Sequence, residues 1–149
     1  MELSDPPFAP AQGFIAVILS WFISQVIKVI RGVLTRRRFN FRWLFDTGGM
    51  PSSHSATVGS LATAVGLYYG FGSMPFLITF IFTIITLSDA AGVRRSVGRQ
   101  AGILNKMLDD LYEKGQVPDT RLKELLGHTP IEVFAGAFLG VVISLIICR

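Results

Sequence analysis

Two histidines offer this sequence its clearest chemistry, and it contains no others. His54 lies in the run Gly-Gly-Met-Pro-Ser-Ser-His-Ser (residues 48–55), and His128 lies in Gly-His-Thr-Pro-Ile-Glu (residues 127–132). An imidazole can act as a nucleophile, or as a general acid or base near neutral pH. Each histidine stands where an apolar segment of helical length begins. Ionisable side chains at the edge of a bilayer are costly unless they serve a site or a pathway.

The second histidine has a carboxylate at helical spacing. Glu132 follows His128 by four residues and is therefore predicted on the same face of a helix. A carboxylate bonded to one ring nitrogen fixes the tautomer and leaves the other nitrogen as nucleophile or base. An ordinary surface contact is the alternative. Because Glu132 falls at the start of an apolar segment, where an idle carboxylate is expensive, we interpret the pair as catalytic.

The residues around the first histidine form a candidate anion cradle. Pro51 suits the first position of a helix. The N–H groups of the following turn, with the hydroxyls of Ser52, Ser53 and Ser55, could hold an oxyanion. His54 would project from that same turn. The alternative is a Gly-Pro turn followed by a serine cap; a histidine inside the cradle favours function.

Cations and a carboxylate follow at the ends of two other apolar segments. Arg94 and Arg95 carry planar forks that suit phosphate oxygens. Asp89 could orient an arginine or hold a divalent cation. The alternative is a positive-inside arginine pair neutralised by Asp89. Lys28 could extend to the membrane interface or reach a phosphate.

Composition and segment lengths predict an integral membrane protein. Half of the 149 residues are hydrophobic and 16% are charged, against about 25% charged in an average soluble domain. We predict a single all-α domain over residues 1–149, a bundle of four transmembrane helices. A cytoplasmic, amphipathic helical insert is predicted at about residues 96–128. The predicted spans, each near the ~20 residues needed to cross a bilayer, are about Gly13–Leu34, Ser53–Phe71, Met74–Ala91 and Pro130–Cys148.

Charge predicts the orientation of this bundle. With four spans, every Lys and Arg except Arg149 lies on or near one side, which the positive-inside rule places in the cytoplasm. Both termini are then predicted on the non-cytoplasmic side, with the candidate site facing the cytoplasm. The basic and aromatic residues at 35–43 fit anionic headgroups and the membrane interface, so no nucleic acid is expected as a partner.

Other features limit the remaining choices. Cys148 is the only cysteine, which excludes an intrachain disulfide and a cysteine metal cluster. We expect no metal and no cofactor. The repeat Gly136-x-x-x-Gly140 permits close helix packing, either inside the fold or in a homodimer.

Three runs of sequence together resemble a small family of membrane proteins. They are Thr-Gly-Gly-Met-Pro-Ser-Ser-His-Ser, Asp-Ala-Ala-Gly-Val-Arg-Arg and Leu-Leu-Gly-His-Thr-Pro-Ile-Glu-Val-Phe-Ala-Gly. With them the chain is similar, over nearly its whole length, to the divergent family related to type 2 phosphatidic acid phosphatases. That family is related in turn to the phosphatase and vanadium haloperoxidase superfamily.

The resemblance implies a role for each candidate residue. His128 corresponds to the nucleophilic histidine, with Glu132 in place of an aspartate, and His54 corresponds to the general acid. Lys28 corresponds to a phosphate-binding lysine, and Ser53 replaces a glycine of the second motif. A larger set would bind phosphate: Lys28, Ser52, Ser53, Arg94 and Arg95, with Asp89 supporting them. The sequence differs from the superfamily in having four spans rather than six and in placing the arginines far ahead of His128.

The function predicted from residues and resemblance is hydrolysis of a lipid phosphate or pyrophosphate at the cytoplasmic face through a phosphohistidine. Its partners would be the lipid bilayer and a phosphorylated lipid substrate. One alternative is a non-catalytic membrane protein that binds or transports a phospholipid or a polyprenyl phosphate. Another is a metal-dependent hydrolase using Asp89, Glu132 and the histidines, which ranks last because hard cations prefer several carboxylates.

Overall fold

The fold is an all-α membrane bundle, as the sequence predicts. A computed structural model describes residues 8–36, 49–113 and 128–148, apart from the side chains of residues 36, 93–95, 99, 110, 112 and 113. Every regular element in these ranges is an α-helix. The helices are α1 (Pro10–Arg36), α2 (Ser53–Tyr69), α3 (Met74–Ala91), α4 (Val93–Glu113) and α5 (Pro130–Ile147).

Small polar side chains define where three of the helices begin. Ser52, Ser73 and Thr129 are the N-caps of α2, α3 and α5, and each accepts a hydrogen bond from a first-turn N–H. The prediction that Pro51 opens a helix is wrong, because α2 begins two residues later at Ser53. The Ser52 hydroxyl can accept a hydrogen bond that a proline cannot, so the serine takes the cap.

Helix α2 lies at the centre of the bundle. It packs most extensively on α5 and also contacts α1 and α3. Ten of its residues are buried, nearly all of them Gly, Ala, Ser or Thr. Small side chains allow backbones to approach closely within a membrane. The small residues of α2 thus account for its burial among its neighbours.

Three glycines bring the backbones of α2 and α5 into contact. A Cβ atom on Gly136 would collide with the Ser52 carbonyl oxygen, and one on Gly140 would collide with that of Ala56. From the other side, a Cβ on Gly59 would lie 2.8 Å from the carbonyl oxygen of Ala137. The Gly136–Gly140 repeat is thus used inside the chain. The homodimer stays a prediction.

Side-chain contacts fix the direction in which each helix runs. Ser60 Oγ and Ser144 Oγ lie 2.8 Å apart, and the Ser144 hydroxyl is also 2.8 Å from the Ser60 carbonyl oxygen. Helices α2 and α5 are therefore parallel, since Ser52 also contacts Glu132 at their starts. At the opposite end, Gln12 Nε2 of α1 donates to the Ile147 carbonyl at 3.4 Å, so α1 runs the other way.

Helix α3 is antiparallel to α2 and continues almost directly into α4. The Thr83 hydroxyl donates to the Val58 carbonyl at 3.2 Å, which joins α3 to α2. At the junction with α4, the Gly92 N–H donates to the Ser88 carbonyl at 2.8 Å. The end of the bundle where α1 and α3 finish and α2 and α5 begin is called the polar end below.

Three helical stretches of the described residues are long and apolar enough to cross a bilayer. They are Pro10–Thr35, Met74–Asp109 (which runs through α3 into α4) and Pro130–Ile147. Helix α2 has 17 residues and is the shortest of the five. The predicted count of four spans includes it and stays a prediction. Helix α4 occupies the first part of the predicted insert, and residues 114–127 of that insert lie outside the described ranges.

Replacing Gly140 with leucine should destabilise the bundle by about 3 kcal/mol, because the new side chain cannot fit against the α2 backbone. Thermal unfolding of the purified protein in detergent would measure this. Gly72→Ala is a suitable control, since nothing lies within 4 Å of a Cβ at that exposed turn. It should change stability by less than about 0.5 kcal/mol. Equal stability of both variants would show that α2 and α5 do not approach as described.

Candidate functional site

A buried lysine is the first component of the site. The Lys28 side chain is 7% exposed and its ammonium donates to Ser53 Oγ at 3.1 Å. The side chain thus points into the bundle, and its role in binding phosphate stays a prediction. A charge in this position requires hydrogen-bonding partners to offset the loss of water. The contact joins the last turns of α1 to the first residue of α2.

The second component of the site is the start of α2 at Ser52–Ser53, and the third is the start of α5. A backbone hydrogen bond joins these two components. The Ser52 N–H donates to the Glu132 carbonyl oxygen at 3.0 Å. The Ser52 hydroxyl accepts from the Ser55 N–H at 3.4 Å, as an N-cap does. Lys28, Ser52–Ser53 and the start of α5 therefore meet at the polar end, although they are far apart in sequence.

The predicted pairing of His128 with Glu132 is present. Nδ1 of His128 lies 3.3 Å from Oε2 of Glu132. The histidine is 1% exposed and the glutamate side chain 22% exposed. When the carboxylate accepts a proton from Nδ1, the lone pair of the neutral ring is on Nε2. Nε2 is therefore the ring atom suited to nucleophilic attack.

The same carboxylate also caps helix α5. Oε2 of Glu132 accepts the Thr129 N–H at 2.9 Å, and the Glu132 N–H donates to Thr129 Oγ1 at 3.4 Å. This reciprocal pair is a capping box. The sequence Thr-Pro-Ile-Glu contains the signal for this capping box, in addition to the i,i+4 spacing of His128 and Glu132. Glu132 is thus held in place by the start of its own helix.

His54 occupies the second position of α2 and is half-buried. It lies in the turn predicted as an anion cradle, and two N–H groups of that turn are bonded within the protein. The Ser52 N–H bonds to Glu132 and the Ser55 N–H bonds to the Ser52 hydroxyl. Within this turn, Ser53 and His54 are the helical residues whose N–H groups precede the first intrahelical bond, that of the Ala56 N–H to the Ser52 carbonyl.

Asp89 lies toward the polar end as well. It follows Thr83, which contacts Val58, by six residues, a rise of about 9 Å. That rise carries α3 to the level at which α2 begins. Arg94 and Arg95 follow in the first turn of α4, but their side chains lie outside the described part of the chain. Their phosphate-binding role stays a prediction.

Two polar groups near the site are buried: Ser55 of the predicted cradle and Gln25, which was not among the predicted residues. Gln25, one turn before Lys28 on α1, is 6% exposed, and Ser55 is fully buried. Among the described residues, neither Gln25 Oε1 nor Ser55 Oγ has a hydrogen-bond partner. A buried polar atom left in that state costs free energy that a water or a ligand can recover. The sequence contained a signal for this buried polar group, namely a glutamine inside an otherwise apolar helix.

No group of three or more His, Cys, Asp or Glu side chains in residues 8–36, 49–113 and 128–148 is arranged to hold a metal ion. Besides the carboxylates of Asp89 and Glu132, the polar end holds an ammonium, serine hydroxyls, helix N–H groups and imidazoles. These are mainly hydrogen-bond donors. A site of this kind suits an oxyanion.

Fold and site thus define a small α-helical membrane protein with a donor-rich polar end, and comparison with known proteins identifies its family. Residues 10–143 match the sequence profile of the Divergent PAP2 family, and the chain belongs to that family. It is 42% identical over 135 residues to the uncharacterized membrane protein YuiD of Bacillus subtilis strain 168, covering 83% of this chain and 85% of YuiD. No solved structure matches the chain.

Replacing Lys28 with methionine should weaken the binding of inorganic phosphate by about tenfold or more, because a charge-assisted hydrogen bond of about 2 kcal/mol is lost. The phosphate dependence of the unfolding temperature would report this affinity, since a ligand that binds the folded state stabilises it. Lys106→Met is the matched control. It removes the same charge from an exposed position on α4. Equal weakening in both variants would indicate a general charge effect and contradict the site.

Proposed function

We propose that this protein is a membrane-embedded phosphatase that hydrolyses a lipid phosphate or pyrophosphate through a phosphohistidine. The observation that carries the proposal is the 3.0 Å hydrogen bond from Ser52 to Glu132. It holds the Lys28–Ser53 pair beside the His128–Glu132 pair. Membership of a family related to phosphatidic acid phosphatases supports phosphoryl chemistry at such a site.

In the first step, His128 Nε2 attacks the phosphorus atom. A nitrogen–phosphorus bond forms as the bond from phosphorus to the lipid oxygen breaks. Glu132 keeps the Nδ1 proton in place and stabilises the positive charge that develops on the ring. His54, in its protonated form, gives a proton to the departing oxygen, so the lipid leaves as an alcohol, or as a monophosphate when the substrate is a pyrophosphate.

In the second step, water attacks the phosphohistidine. His54, now neutral, takes a proton from the water, the nitrogen–phosphorus bond breaks, and inorganic phosphate leaves. Both steps place negative charge on the equatorial oxygens of the transferring group. Lys28, the first-turn N–H groups of α2 and the Ser53 hydroxyl would stabilise that charge. Arg94 and Arg95 would add planar forks, and Asp89 would orient one of them.

The substrate would be taken from the cytoplasmic leaflet. With four spans, the sequence puts all Lys and Arg residues except Arg149 on or near one side, and the positive-inside rule assigns that side to the cytoplasm. Both termini would then be on the non-cytoplasmic side. No cofactor enters the reaction, since imidazole, ammonium and N–H groups supply its acid–base and electrostatic requirements.

A second candidate is a non-catalytic membrane protein that binds or transports a phosphorylated lipid. One observation favours it: Oε2 of Glu132 accepts the Thr129 N–H in a capping box. The need to cap the start of α5 is by itself enough to account for a glutamate at this position. In this alternative, Lys28 and the histidines would serve as ligands for the phosphate, without covalent chemistry.

Replacing His128 with alanine should reduce phosphate release from lipid phosphates by about a thousandfold or more, because the nucleophile is lost. Release is measured with purified protein over a panel of lipid phosphates and pyrophosphates. Ile131→Ala is the control, since Ile131 lies three residues after His128, in the first turn of α5, and is 71% exposed. It should retain the activity, and both variants should unfold at temperatures close to that of the unaltered protein.

Trapping of an acid-labile phosphate during turnover separates the two candidates. The phosphatase requires covalent phosphate on the unaltered protein and none on the His128 variant. Tight binding of lipid phosphate with neither release nor trapped phosphate would support the binding protein. Normal release by the His128 variant would refute the nucleophile assignment.

A further inference from the structure

An apolar groove lies on the outside of the bundle beside the polar end. It has a volume of about 320 Å³. One wall is formed by Ile27 and Arg31 of α1, and the floor at one end by Met50 and Pro51. The opposite wall belongs to α5 and consists of Ala135, Phe138, Leu139 and Val142.

Two residues that line the groove are neighbours in the chain of residues of the candidate site. Ile27 immediately precedes Lys28, whose ammonium contacts Ser53. Pro51 immediately precedes Ser52, whose N–H contacts Glu132. The groove therefore begins where the polar groups are, and a molecule could place a polar head among them while its apolar part lies outside the core.

The direction and length of the groove fit one membrane leaflet. From Ala135 to Val142 the α5 wall rises by about 10 Å, and half of the hydrocarbon core is about 15 Å thick. Because α5 begins at the polar end, this wall runs inward from the level of the site towards the membrane centre. Phe138 is 71% exposed, so the groove is open along the surface that faces lipid.

A cation stands at the polar end of the groove. Arg31 is exposed, whereas Lys28, three residues earlier, is buried. One turn of α1 thus presents an ammonium to the interior and a guanidinium to the groove. The groove combines an apolar channel with positive charge at one end, and a single anionic lipid is complementary to both features.

The geometry points to this groove as the binding site for one hydrocarbon chain of a phosphorylated lipid, with Arg31 contacting its headgroup. This inference rests on the proposed function in that the same phosphate would enter the site beside Lys28. The lipid then reaches the site sideways from the leaflet, without leaving the membrane. Arg31 and the α5 wall would select for anionic lipids over the neutral lipids around them.

Photo-crosslinking in phosphatidylcholine nanodiscs tests the groove without requiring turnover. One probe is a diacylglycerol phosphate with a diazirine in one chain, and the other is the same diacylglycerol without the phosphate. The phosphate probe should label residues 135–142 preferentially over the lipid-facing side of α3, and the neutral probe should label both alike. Equal labelling of α5 by the two probes would identify ordinary boundary lipid and overturn the inference.

A variant that fills the groove supplies the second arm. Val142 lies on α5 ten residues after Glu132. The substitution Val142→Trp should reduce phosphate-probe labelling of α5 by about tenfold. Ile81→Trp, on the exposed face of α3, should leave it unchanged. If Val142→Trp lowers the unfolding temperature, Ala135→Phe replaces it. Undiminished labelling in a folded, groove-filled variant would also overturn the inference.

Activity measurements separate this inference from the proposed function. In Val142→Trp, kcat/KM for a long-chain lipid phosphate should fall by about tenfold, while that for a short, water-soluble phosphate ester should be retained. An equal fall for both substrates would contradict a chain-binding role. Phosphate-selective labelling of α5 by a protein that hydrolyses neither substrate would refute the phosphatase and leave the groove intact.

Discussion

The close approach of α2 and α5 is the constraint on which the rest of this structure depends. Glycines at 136 and 140 leave room for the carbonyl groups of Ser52 and Ala56 directly against α5. At this separation the backbone of one helix can bond to the other, and the Ser52 N–H does so with the Glu132 carbonyl. The packing of small residues thus fixes the relative positions of two polar motifs that are some eighty residues apart.

The same packing accounts for the unusual polarity of the interior. Within a bilayer, helices gain little from burying apolar side chains against each other, since lipid is equally apolar. Small residues and interhelical hydrogen bonds take over that role. The Ser60–Ser144 pair and the bond from Thr83 to Val58 are of this kind. The hydrogen bond from Lys28 to Ser53 is another such interhelical contact at the polar end, and there it forms part of the candidate site.

Local patterns in the sequence predicted those features that depend on one helix at a time. The i,i+4 spacing of His128 and Glu132 predicted their contact, and the Gly136–Gly140 repeat predicted close helix packing. Contacts between helices could not be predicted from patterns within a single helix. Ser52 donates to the Glu132 carbonyl and Lys28 donates to Ser53. Both contacts depend on how the helices are aligned with one another, which only the packed bundle defines.

The position of Glu132 links helix formation to the chemistry of the site. Its carboxylate accepts the Thr129 N–H as part of the capping box that begins α5. The His128 ring is therefore oriented by a group whose own position is already fixed, and such preorganisation is what a rigid catalytic site needs. A capping box and a catalytic carboxylate are usually considered alternatives for one glutamate. Here the capping box would supply the geometry that the proposed catalytic carboxylate requires, so the capping role of Glu132, which by itself favours the binding protein, is compatible with the proposed phosphatase.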